Sequence, residues 1–240
     1  MINVVFPVLN EELRLEKGIQ TVVPFLSEHW MGNFQITIVD NGSTYKTEQL
    51  CQQLCKKYNE IKYLRIEEKG VGVAFRYAVE QNECEIIGYT DIDLSTELEA
   101  FVQMKKAFEE DQNLEIVNAS RFNKKSTLVG RTKLRNFISY SLIFILKKMF
   151  GMKASDAICG FKFFRKECIE ELMKKSSDEK GWFLLIEILL RAERDNRKIL
   201  ELPITWIYDE NTKVKIIKTV KSYMKQMIKL KRAFRREANE

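Results

Sequence analysis

The sequence predicts an α/β domain built on a mostly parallel β-sheet that is flanked by helices. Short apolar runs rich in β-branched residues alternate with amphipathic stretches, which is the pattern of βαβ units. The 240 residues fit one sizeable domain, and an apolar fraction of 45% with a charged fraction of 31% is ordinary for a globular protein. Ten glycines and three prolines leave little room for long linkers.

Six short apolar runs predict the strands. They lie at residues 2–6, 36–39, 61–66, 86–90, 114–119 and 199–204. Stretches with apolar residues three or four apart predict the helices. They lie at residues 11–28, 45–58, 71–82, 96–110 and 181–195.

Polar residues follow the first five of these strands. They occupy residues 10–12, 40–44, 69–70, 91–93 and 120–121. Ligands of open parallel sheets bind beyond the carboxyl ends of the strands. We therefore expect these polar residues to converge on one crevice.

Asp91 and Asp93 come directly after the fourth predicted strand. Two carboxylates held close together repel each other unless a cation or a proton separates them. Mg²⁺ and Mn²⁺ take oxygen ligands and commonly combine one or two carboxylates with substrate phosphates. An Asp-x-Asp pattern alone is weak evidence, and its place at a strand end strengthens it. The sequence thus predicts that this acid pair, Asp91 and Asp93, binds a divalent metal.

Composition argues against several other kinds of site. His29 is the only histidine, so a histidine-based metal site or a Ser-His-Asp triad cannot be assembled within one chain. The glycines at 70 and 72 lack the third glycine of a dinucleotide-binding fingerprint, and no P-loop motif is present. The five cysteines form an odd set without Cys-x-x-Cys spacing, and the N-terminus does not resemble a signal peptide. These features predict a reducing, cytoplasmic compartment.

Residues 136–146 form an uncharged run between Arg135 and Lys147. A helix that spans a bilayer needs roughly 20 apolar residues, so this run is too short to cross one. Taken alone, the run fits a helix that lies in a membrane interface and a helix buried in the core equally well.

The C-terminal segment carries the basic charge. Residues 213–236 contain ten Lys and Arg and no acidic residue, and without these ten the chain has 30 basic and 34 acidic residues. The apolar residues between Ile216 and Phe234 fall on one face of a predicted helix, as in helices that lie on anionic membranes. A helix packed on the domain is the alternative; no nucleic-acid motif accompanies the helix, so we expect no nucleic-acid partner. We predict a domain at residues 1–212 and a basic amphipathic helix at residues 213–240.

Seven motifs in a fixed order carry a resemblance to a known family. They lie at residues 7–12, 39–44, 91–96, 120–121, 156–162, 187 and 201–206. With this order and spacing, the chain resembles family 2 glycosyltransferases of the GT-A fold. Within that family it most resembles the polyprenyl-phosphate (dolichyl-phosphate-type) glucosyl- and mannosyltransferases.

The resemblance implies a nucleotide-sugar donor. The residues that would hold its nucleotide are Pro7, Asn10, Glu12 and Asp40. Asp91 and Asp93 would bind its diphosphate through Mg²⁺ or Mn²⁺, which stabilises the departing nucleoside diphosphate as a Lewis acid. From the residues alone, Pro7 and Asn10 also fit a structural role, in which they end the strand and cap the next helix.

The resemblance also implies a polyprenyl-phosphate acceptor, held by Arg121, Arg135 and Ser139. Such an acceptor is already an anion, so its oxygen attacks the anomeric carbon directly, with inversion, once positive charge positions it. Planar guanidinium groups suit a phosphate. Asp156 and Glu187 also lie in matched motifs; for Glu187 the alternative is a salt bridge on its helix. The predicted catalytic residues are Asp93, Arg121, Arg135 and Glu187.

A lipid acceptor would explain the uncharged run at residues 136–146. Residues 134–150 would form an interfacial helix that presents Arg135 and Ser139 at the membrane, and the basic C-terminal helix would dock on an anionic membrane surface. Many relatives continue into transmembrane helices and this chain does not. We therefore expect peripheral binding at the cytoplasmic face, with a membrane subunit or another copy of the chain as partner.

The chain departs from the family pattern at Asn41, Val71, Ile92 and Leu185. These departures leave the identity of the donor open. UDP-glucose is favoured, and GDP-mannose is the alternative. Two other functions stay open. One is a family 2 transferase that acts on a cell-wall or polysaccharide acceptor with Glu187 or Asp156 as base. The other is a catalytically lapsed, membrane-associated binding protein.

Overall fold

The computed structural model describes residues 1–209 and 216–239. Its strands are β1 (Ile2–Val8), β2 (Phe34–Asn41), β3 (Ile61–Ile66), β4 (Ile86–Tyr89), β5 (Ile116–Ser120), β6 (Thr127–Val129), β7 (Lys162–Arg165), β8 (Ile199–Pro203) and β9 (Thr205–Ile207). Its helices are α1 (Glu12–Trp30), α2 (Tyr45–Lys57), α3 (Val71–Glu80), α4 (Glu99–Glu110), α5 (Lys133–Phe150), α6 (Lys166–Lys175), α7 (Phe183–Arg194) and α8 (Ile216–Glu237). Every predicted strand and helix is present, with ends that differ by a few residues.

The strands of the main sheet follow the order β3-β2-β1-β4-β7-β5-β8. Neighbouring strands are parallel except at β7, which runs antiparallel to both β4 and β5. The prediction of a mostly parallel sheet is confirmed. The sequence does not reveal β7, because its four residues include two charged side chains and no β-branched one. The short strands β6 and β9 pair with each other in a separate parallel sheet.

Successive side chains along β1 face two different cores. Val4 and Phe6 pack on one face of the sheet with α1, α2 and α4, whereas Val5 packs on the other with α3, α6 and α7. Full burial of each such side chain contributes roughly 1.5–3 kcal/mol. Because helices cover both faces, the strands are largely apolar and the polar groups collect at their ends.

A third apolar cluster lies where α5, α7 and α8 meet. Tyr223, Met227 and Leu230 of α8 are buried in it together with Leu146 of α5 and Leu189 of α7. The prediction that the apolar face of the C-terminal helix lies on a membrane is therefore wrong for Tyr223 and Met227, because the domain covers them. Periodicity reveals an apolar face but not what packs on it. The predicted boundary between residues 212 and 213 falls outside the described residues.

Helix α5 has two apolar faces, of which one is buried and one exposed. The buried face carries Leu142, Ile143 and Leu146. The other face carries four large side chains that are between 53% and 68% exposed, namely Leu134, Phe137, Tyr140 and Phe144. The helix thus belongs to the core on one side and offers apolar surface on the other. Within residues 1–209 and 216–239, no helix is both long and apolar enough to span a membrane.

Candidate active site

A cavity of about 570 Å³ opens at the carboxyl ends of the parallel strands. Residues at or shortly after the ends of β1 to β5 line it, in chain order Leu9, Asn41, Lys69, Asp91 and Arg121. The predicted convergence of five strand ends on one crevice is therefore confirmed. Apolar residues of the helices complete the lining, and they include Ile138 and Leu142 of α5, Leu185 and Ile186 of α7, and Val220 and Tyr223 of α8.

Both members of the acid pair line this cavity. The chain leaves the regular pleat directly after β4, where the backbone N–H of Leu94 donates to the carbonyl of Asp91 at 3.2 Å and closes a turn. Leu94 has a φ of 51°, a left-handed conformation that costs a non-glycine residue about 1–2 kcal/mol. Because of this turn, two acids that are two residues apart face the same space.

Asp91 is held in place from two directions. Tyr89 donates its hydroxyl hydrogen to the Asp91 carboxylate and in turn accepts a hydrogen bond of 3.2 Å from the indole nitrogen of Trp182. On another side, Gly160 lies so close that a Cβ built on it would overlap Asp91 Oδ2. A glycine is therefore required at position 160 for the present position of this carboxylate.

The electrostatics of the acid pair favour a bound cation. Asp91 is open to the cavity, yet the protein around it raises its pKa to about 7, first by desolvation and then through the nearby charge of Asp93. The hydrogen bond from Tyr89 and the charges of Arg121 and Lys162 oppose this shift only in part. The site therefore carries negative charge that the surrounding protein leaves partly uncompensated.

The donor atoms at the acid pair fit Mg²⁺ or Mn²⁺. Across the part of the chain that the structure describes, no third carboxylate, histidine or cysteine joins the pair to form a closed metal site. Two carboxylates alone leave coordination positions for substrate oxygens, which is the usual arrangement for Mg²⁺. Beside the pair, the buried hydroxyl of Ser95 also lines the cavity and lacks a hydrogen-bond partner within the described residues. A polar ligand would satisfy it.

The residues predicted to hold a nucleotide divide into two groups. Pro7 and Asp91 line the cavity, whereas Asn10, Glu12 and Asp40 join the neighbouring loops to each other. Asn10 accepts a hydrogen bond of 2.8 Å from the backbone N–H of Thr44, and Glu12 accepts one of 2.8 Å from the hydroxyl of Thr47. These contacts fix the loop after β1 to the loop after β2.

Asp40 is fully buried beneath these loops. Its carboxylate accepts hydrogen bonds from the backbone N–H of Ser43 at 2.8 Å, from the hydroxyl of Tyr63 at 3.0 Å and from Arg65 at 3.3 Å. The side chain of Asn41 donates to the carbonyl of Val8 and accepts from the backbone N–H of Gly70. Asp40 and Asn41 therefore hold the loops that follow the strands in place.

Arg121 forms a bidentate ion pair with Asp156. Its Nε lies 2.7 Å from Oδ2 of Asp156, its Nη2 lies 3.1 Å from Oδ1, and both side chains are buried. Burial disfavours both charges, but the attraction between them raises the pKa of Arg121 and lowers the pKa of Asp156. Arg121 lines the cavity and Asp156 does not. Asp156 therefore orients Arg121 and neutralises its charge.

Two further arginines line the cavity near the start of α5. Arg135, which the sequence predicts, lies with its guanidinium 5.2 Å from the ring centroid of Tyr208. Arg131, which sequence reasoning missed, donates hydrogen bonds of 2.7 Å to the side-chain oxygens of Asn136 and Ser139. The structure thus places the predicted Ser139 beside Arg131. Together, Arg121, Arg131 and Arg135 form an arginine cluster.

Glu187 is not brought into the cavity. Its carboxylate is buried, forms an ion pair of 2.9 Å with Arg191 and accepts hydrogen bonds from the backbone N–H and the hydroxyl of Ser177. The structure therefore contains the salt-bridge alternative, and it places the predicted catalytic residue Glu187 outside the cavity lining. Leu185, two residues earlier, lines the cavity instead.

Sequence reasoning also missed the aromatic part of the lining. Trp182 and Tyr208 border the cavity, and Trp206 lies with its ring centroid 5.7 Å and 5.5 Å from the guanidinium carbons of Arg121 and Arg131. A signal for Arg131 was available, since it precedes Arg135 and Ser139 at intervals of four residues, the spacing of one helix face.

Comparisons with known proteins agree with this architecture. The family model that describes glycosyl transferase family 2 matches residues 3–173. The chain is 28% identical over 229 residues to the dolichyl-phosphate beta-glucosyltransferase of Saccharomyces cerevisiae, in a match that covers 85% of this chain and 66% of that protein. It is 24% identical over 233 residues to the glycosyltransferase AglD of Haloferax volcanii, which covers 95% of this chain and 36% of that protein. The chain thus spans less than two thirds of the length of either relative.

Solved structures show the same fold. The glucosyl-3-phosphoglycerate synthase of Mycobacterium tuberculosis in complex with UDP has a TM-score of 0.70 at 17% identity, with 96% of this chain and 78% of that chain covered. A mannosyltransferase of Pyrobaculum calidifontis in complex with GDP-Man and Mn²⁺ has a TM-score of 0.54 at 14% identity, with 88% and 57% covered. The predicted GT-A fold is thereby confirmed.

Proposed function

The chain belongs to glycosyl transferase family 2, and we propose that it transfers a hexose from a nucleotide sugar to a polyprenyl phosphate, with inversion at the anomeric carbon. The observation that carries this proposal is the charge distribution in one cavity. The same cavity is lined by the acid pair, which we call the donor half, and by the arginine cluster, which we call the acceptor half.

The donor half suits the diphosphate of a nucleotide sugar. Asp91 and Asp93 would hold a divalent cation whose charge would attract the diphosphate and would lower the raised pKa of Asp91. When bound, the cation would stabilise the negative charge that develops on the leaving nucleoside diphosphate. Tyr89 and Gly160 fix the Asp91 carboxylate, so little reorganisation is needed when the donor binds.

The acceptor half suits a phosphate that needs no general base. Leu185 brings no ionisable group to the cavity lining, and the carboxylate of Asp156 is committed to Arg121. A phosphate monoester is already an oxyanion near neutral pH, so the protein need only position it. Arg131 and Arg135 would hold this anion by charge-assisted hydrogen bonds.

The lining of the helices suits a lipid chain attached to that phosphate. Ile138, Leu142 and Val220 line the cavity close in sequence to Arg135 and Ser139, and the outer face of α5 exposes Phe137 and Phe144. Lys133, Lys147 and Lys148 flank that face. We propose that this face of α5 lies on the cytoplasmic surface of an anionic membrane, with the charged side of α8 nearby.

Relatives favour a glucosyl donor. Both the yeast protein and a protein of Trichomonas vaginalis, 28% identical over 230 residues and with 92% of this chain and 70% of that protein covered, are dolichyl-phosphate beta-glucosyltransferases. We therefore propose UDP-glucose as donor, with GDP-mannose as the alternative. Mn²⁺ is present in related complexes with each of these donors, and Mg²⁺ fits the same pair of carboxylates.

A transfer assay tests the proposal. The protein is incubated with Mn²⁺, undecaprenyl phosphate in detergent and either radiolabelled UDP-glucose or radiolabelled GDP-mannose. We expect a labelled product that extracts into organic solvent and is released by mild acid, and we expect it with UDP-glucose. Label found only in a saccharide polymer would contradict the acceptor and favour a polysaccharide transferase. Absence of donor binding by calorimetry with Mn²⁺ would point to a lapsed binding protein.

A further inference from the structure

The three arginines of the cluster differ in how their charge is balanced. Arg121 is paired with Asp156 through two short contacts, and both partners are ionised, so together they contribute no net charge. Within residues 1–209 and 216–239, no carboxylate forms an ion pair with Arg131 or Arg135. The net positive charge of the cluster therefore resides on these two.

Arg131 is fixed in position by neutral groups. Its Nη1 donates to the side-chain oxygen of Asn136 and its Nη2 to the hydroxyl of Ser139, each at 2.7 Å. These bonds use two of the five N–H groups of a guanidinium and leave its charge intact. The neutral partners thus orient the guanidinium and leave donors free for an anion.

Aromatic rings hold Arg131 from other directions. Its guanidinium carbon lies 5.8 Å from the ring centroid of Phe122 and 5.5 Å from that of Trp206. These contacts place the charge in a partly desolvated setting, and the pKa of Arg131 is lowered to about 10, first by desolvation and then by repulsion from Arg121. A cation in such surroundings gains more from a bound anion than a cation in water does.

We propose that Arg131 is the principal ligand of the acceptor phosphate, and that Arg121, already neutralised by Asp156, mainly gives the site its shape. This inference rests on the proposed function and deepens it, because it assigns the phosphate to a residue that the family resemblance did not point to. Arg135, in the first turn of α5 and over Tyr208, also lines the cavity and would be the second ligand of the phosphate.

A purely structural role for Arg131 is the competing explanation. Both of its hydrogen-bond partners belong to α5, so the side chain also ties the segment before the helix to the first turns of the helix. Such a clamp would affect stability, and its loss would not single out a phosphate ligand. Affinity for the phosphate therefore has to be measured separately from stability.

The test is the binding of farnesyl phosphate to the full chain in detergent micelles, with farnesol as the ligand that lacks the phosphate. Arg131→Gln removes the charge, and Arg131→Lys keeps the charge but loses the planar fork. Lys124→Gln removes one exposed charge from the β5–β6 connection, seven residues before Arg131 and outside the cavity, and is the control. Calorimetry gives the affinities for farnesyl phosphate and for UDP-glucose with Mn²⁺, and thermal unfolding gives the stability of each variant.

We expect Arg131→Gln to bind farnesyl phosphate about 10- to 100-fold more weakly, the loss of a hydrogen bond to a charged group. Arg131→Lys should fall between Arg131→Gln and the wild type, and Lys124→Gln should match the wild type. The affinity for UDP-glucose should stay within about twofold in all of them.

The outcomes separate the two levels of inference. If the wild type prefers farnesyl phosphate to farnesol and both Arg131 variants bind it as the wild type does, the assignment of Arg131 is overturned and the proposed acceptor stands. The assignment of Arg131 is also overturned if the variants lose affinity for farnesyl phosphate and for UDP-glucose equally and are less stable. That result would identify Arg131 as a structural clamp. If the wild type does not distinguish farnesyl phosphate from farnesol, the proposed acceptor itself falls.

Discussion

The donor half and the acceptor half of the cavity carry opposite charge, and each is short of partners of the other sign. In the donor half, desolvation and Asp93 raise the pKa of Asp91 to about 7. In the acceptor half, desolvation and Arg121 lower the pKa of Arg131 to about 10. Both groups are shifted toward their neutral forms, which is the mark of a site that awaits a charged ligand. Under the proposed function, one cavity would offer a cation-assisted site for one anion and a cationic site for another.

The two halves also differ in how the chain builds them. The acid pair follows directly from a central strand of the sheet, and Tyr89 and Gly160 fix Asp91. The arginine cluster comes from the connection between β5 and α5, and its arginines are held by side chains such as Asp156 and Ser139. The acid pair is thus placed by the end of a sheet strand, whereas the arginines are placed by contacts between side chains of different segments.

The largest effect should come from Asp93→Ala. Loss of a cation ligand removes several kcal/mol of charge stabilisation, so we expect kcat to fall more than about 1000-fold. Asp93 is partly exposed and accepts only one hydrogen bond from the protein that the structure records, from the backbone N–H of Ser95 at 3.0 Å, so the variant should stay folded. The transfer assay checks this, with Asp178→Ala, an exposed acid outside the cavity, as control. If Asp93→Ala retains activity, the proposal that a cation acts in the donor half is wrong.

Asp156→Asn should mainly reduce stability. The substitution leaves the buried charge of Arg121 unpaired, which costs about 3–5 kcal/mol in the free energy of unfolding. The folded-state pKa of Asp156 lies below its ordinary value of 3.8, so the stabilisation is present above that value and is lost as the pH falls through the lowered pKa. Urea unfolding at a series of pH values should show a difference from the wild type that shrinks in acid. A constant difference would show that the pair does not stabilise through its charge.

Gly160→Ala tests whether the position of Asp91 matters as much as its charge. The added methyl group overlaps Asp91 Oδ2 and must displace it, and a displacement of about 1 Å can cost about 100-fold in kcat/KM. The affinity for UDP-glucose with Mn²⁺, measured by calorimetry, should fall with it. Gly151→Ala, which has open space for a Cβ and a φ of 69°, is the control that strains the backbone outside the cavity. An equal loss in Gly151→Ala would mean that the loss in Gly160→Ala is not specific to the position of Asp91.

The smallest effect is expected at the membrane surface of the acceptor half. Replacement of Phe137 and Phe144 by serine removes exposed apolar surface from α5, so we expect the fraction bound to anionic liposomes to fall about tenfold. Leu13→Ser, at an apolar residue of α1 that is 89% exposed, is the matched control. If sedimentation with liposomes is unchanged in the double variant, α5 is not the membrane contact.

The sequence was most informative where local pattern and topology agree. Alternating strands and helices predict the sheet, and the polar residues at five strand ends predict the cavity, because the carboxyl ends of parallel strands must meet at one edge. The Asp-x-Asp pair is a local signal at such an end. The sequence was less informative about β7, which is too short and too polar to recognise.

Contacts between segments that are distant along the chain could not be predicted from the sequence. The sequence pattern of α8 alone indicates a helix that lies on a membrane. In the structure, α5 and α7 cover part of its apolar face. Glu187 lies in a matched motif, yet its carboxylate is committed to Ser177 and Arg191. Arg131 lies outside the matched motifs. The role that we propose for it depends on the ion pair in which Asp156 neutralises Arg121.

The central claim is that one cavity binds a cation-linked diphosphate in its donor half and a lipid phosphate in its acceptor half. The most direct measurement is a crystal structure with Mn²⁺, UDP and farnesyl phosphate, with the manganese located by anomalous scattering. We expect the manganese peak between the carboxylates of Asp91 and Asp93, and the lipid phosphate within hydrogen-bond distance of Arg131 and Arg135. A manganese peak elsewhere, or a lipid phosphate bound away from both arginines, would contradict the claim.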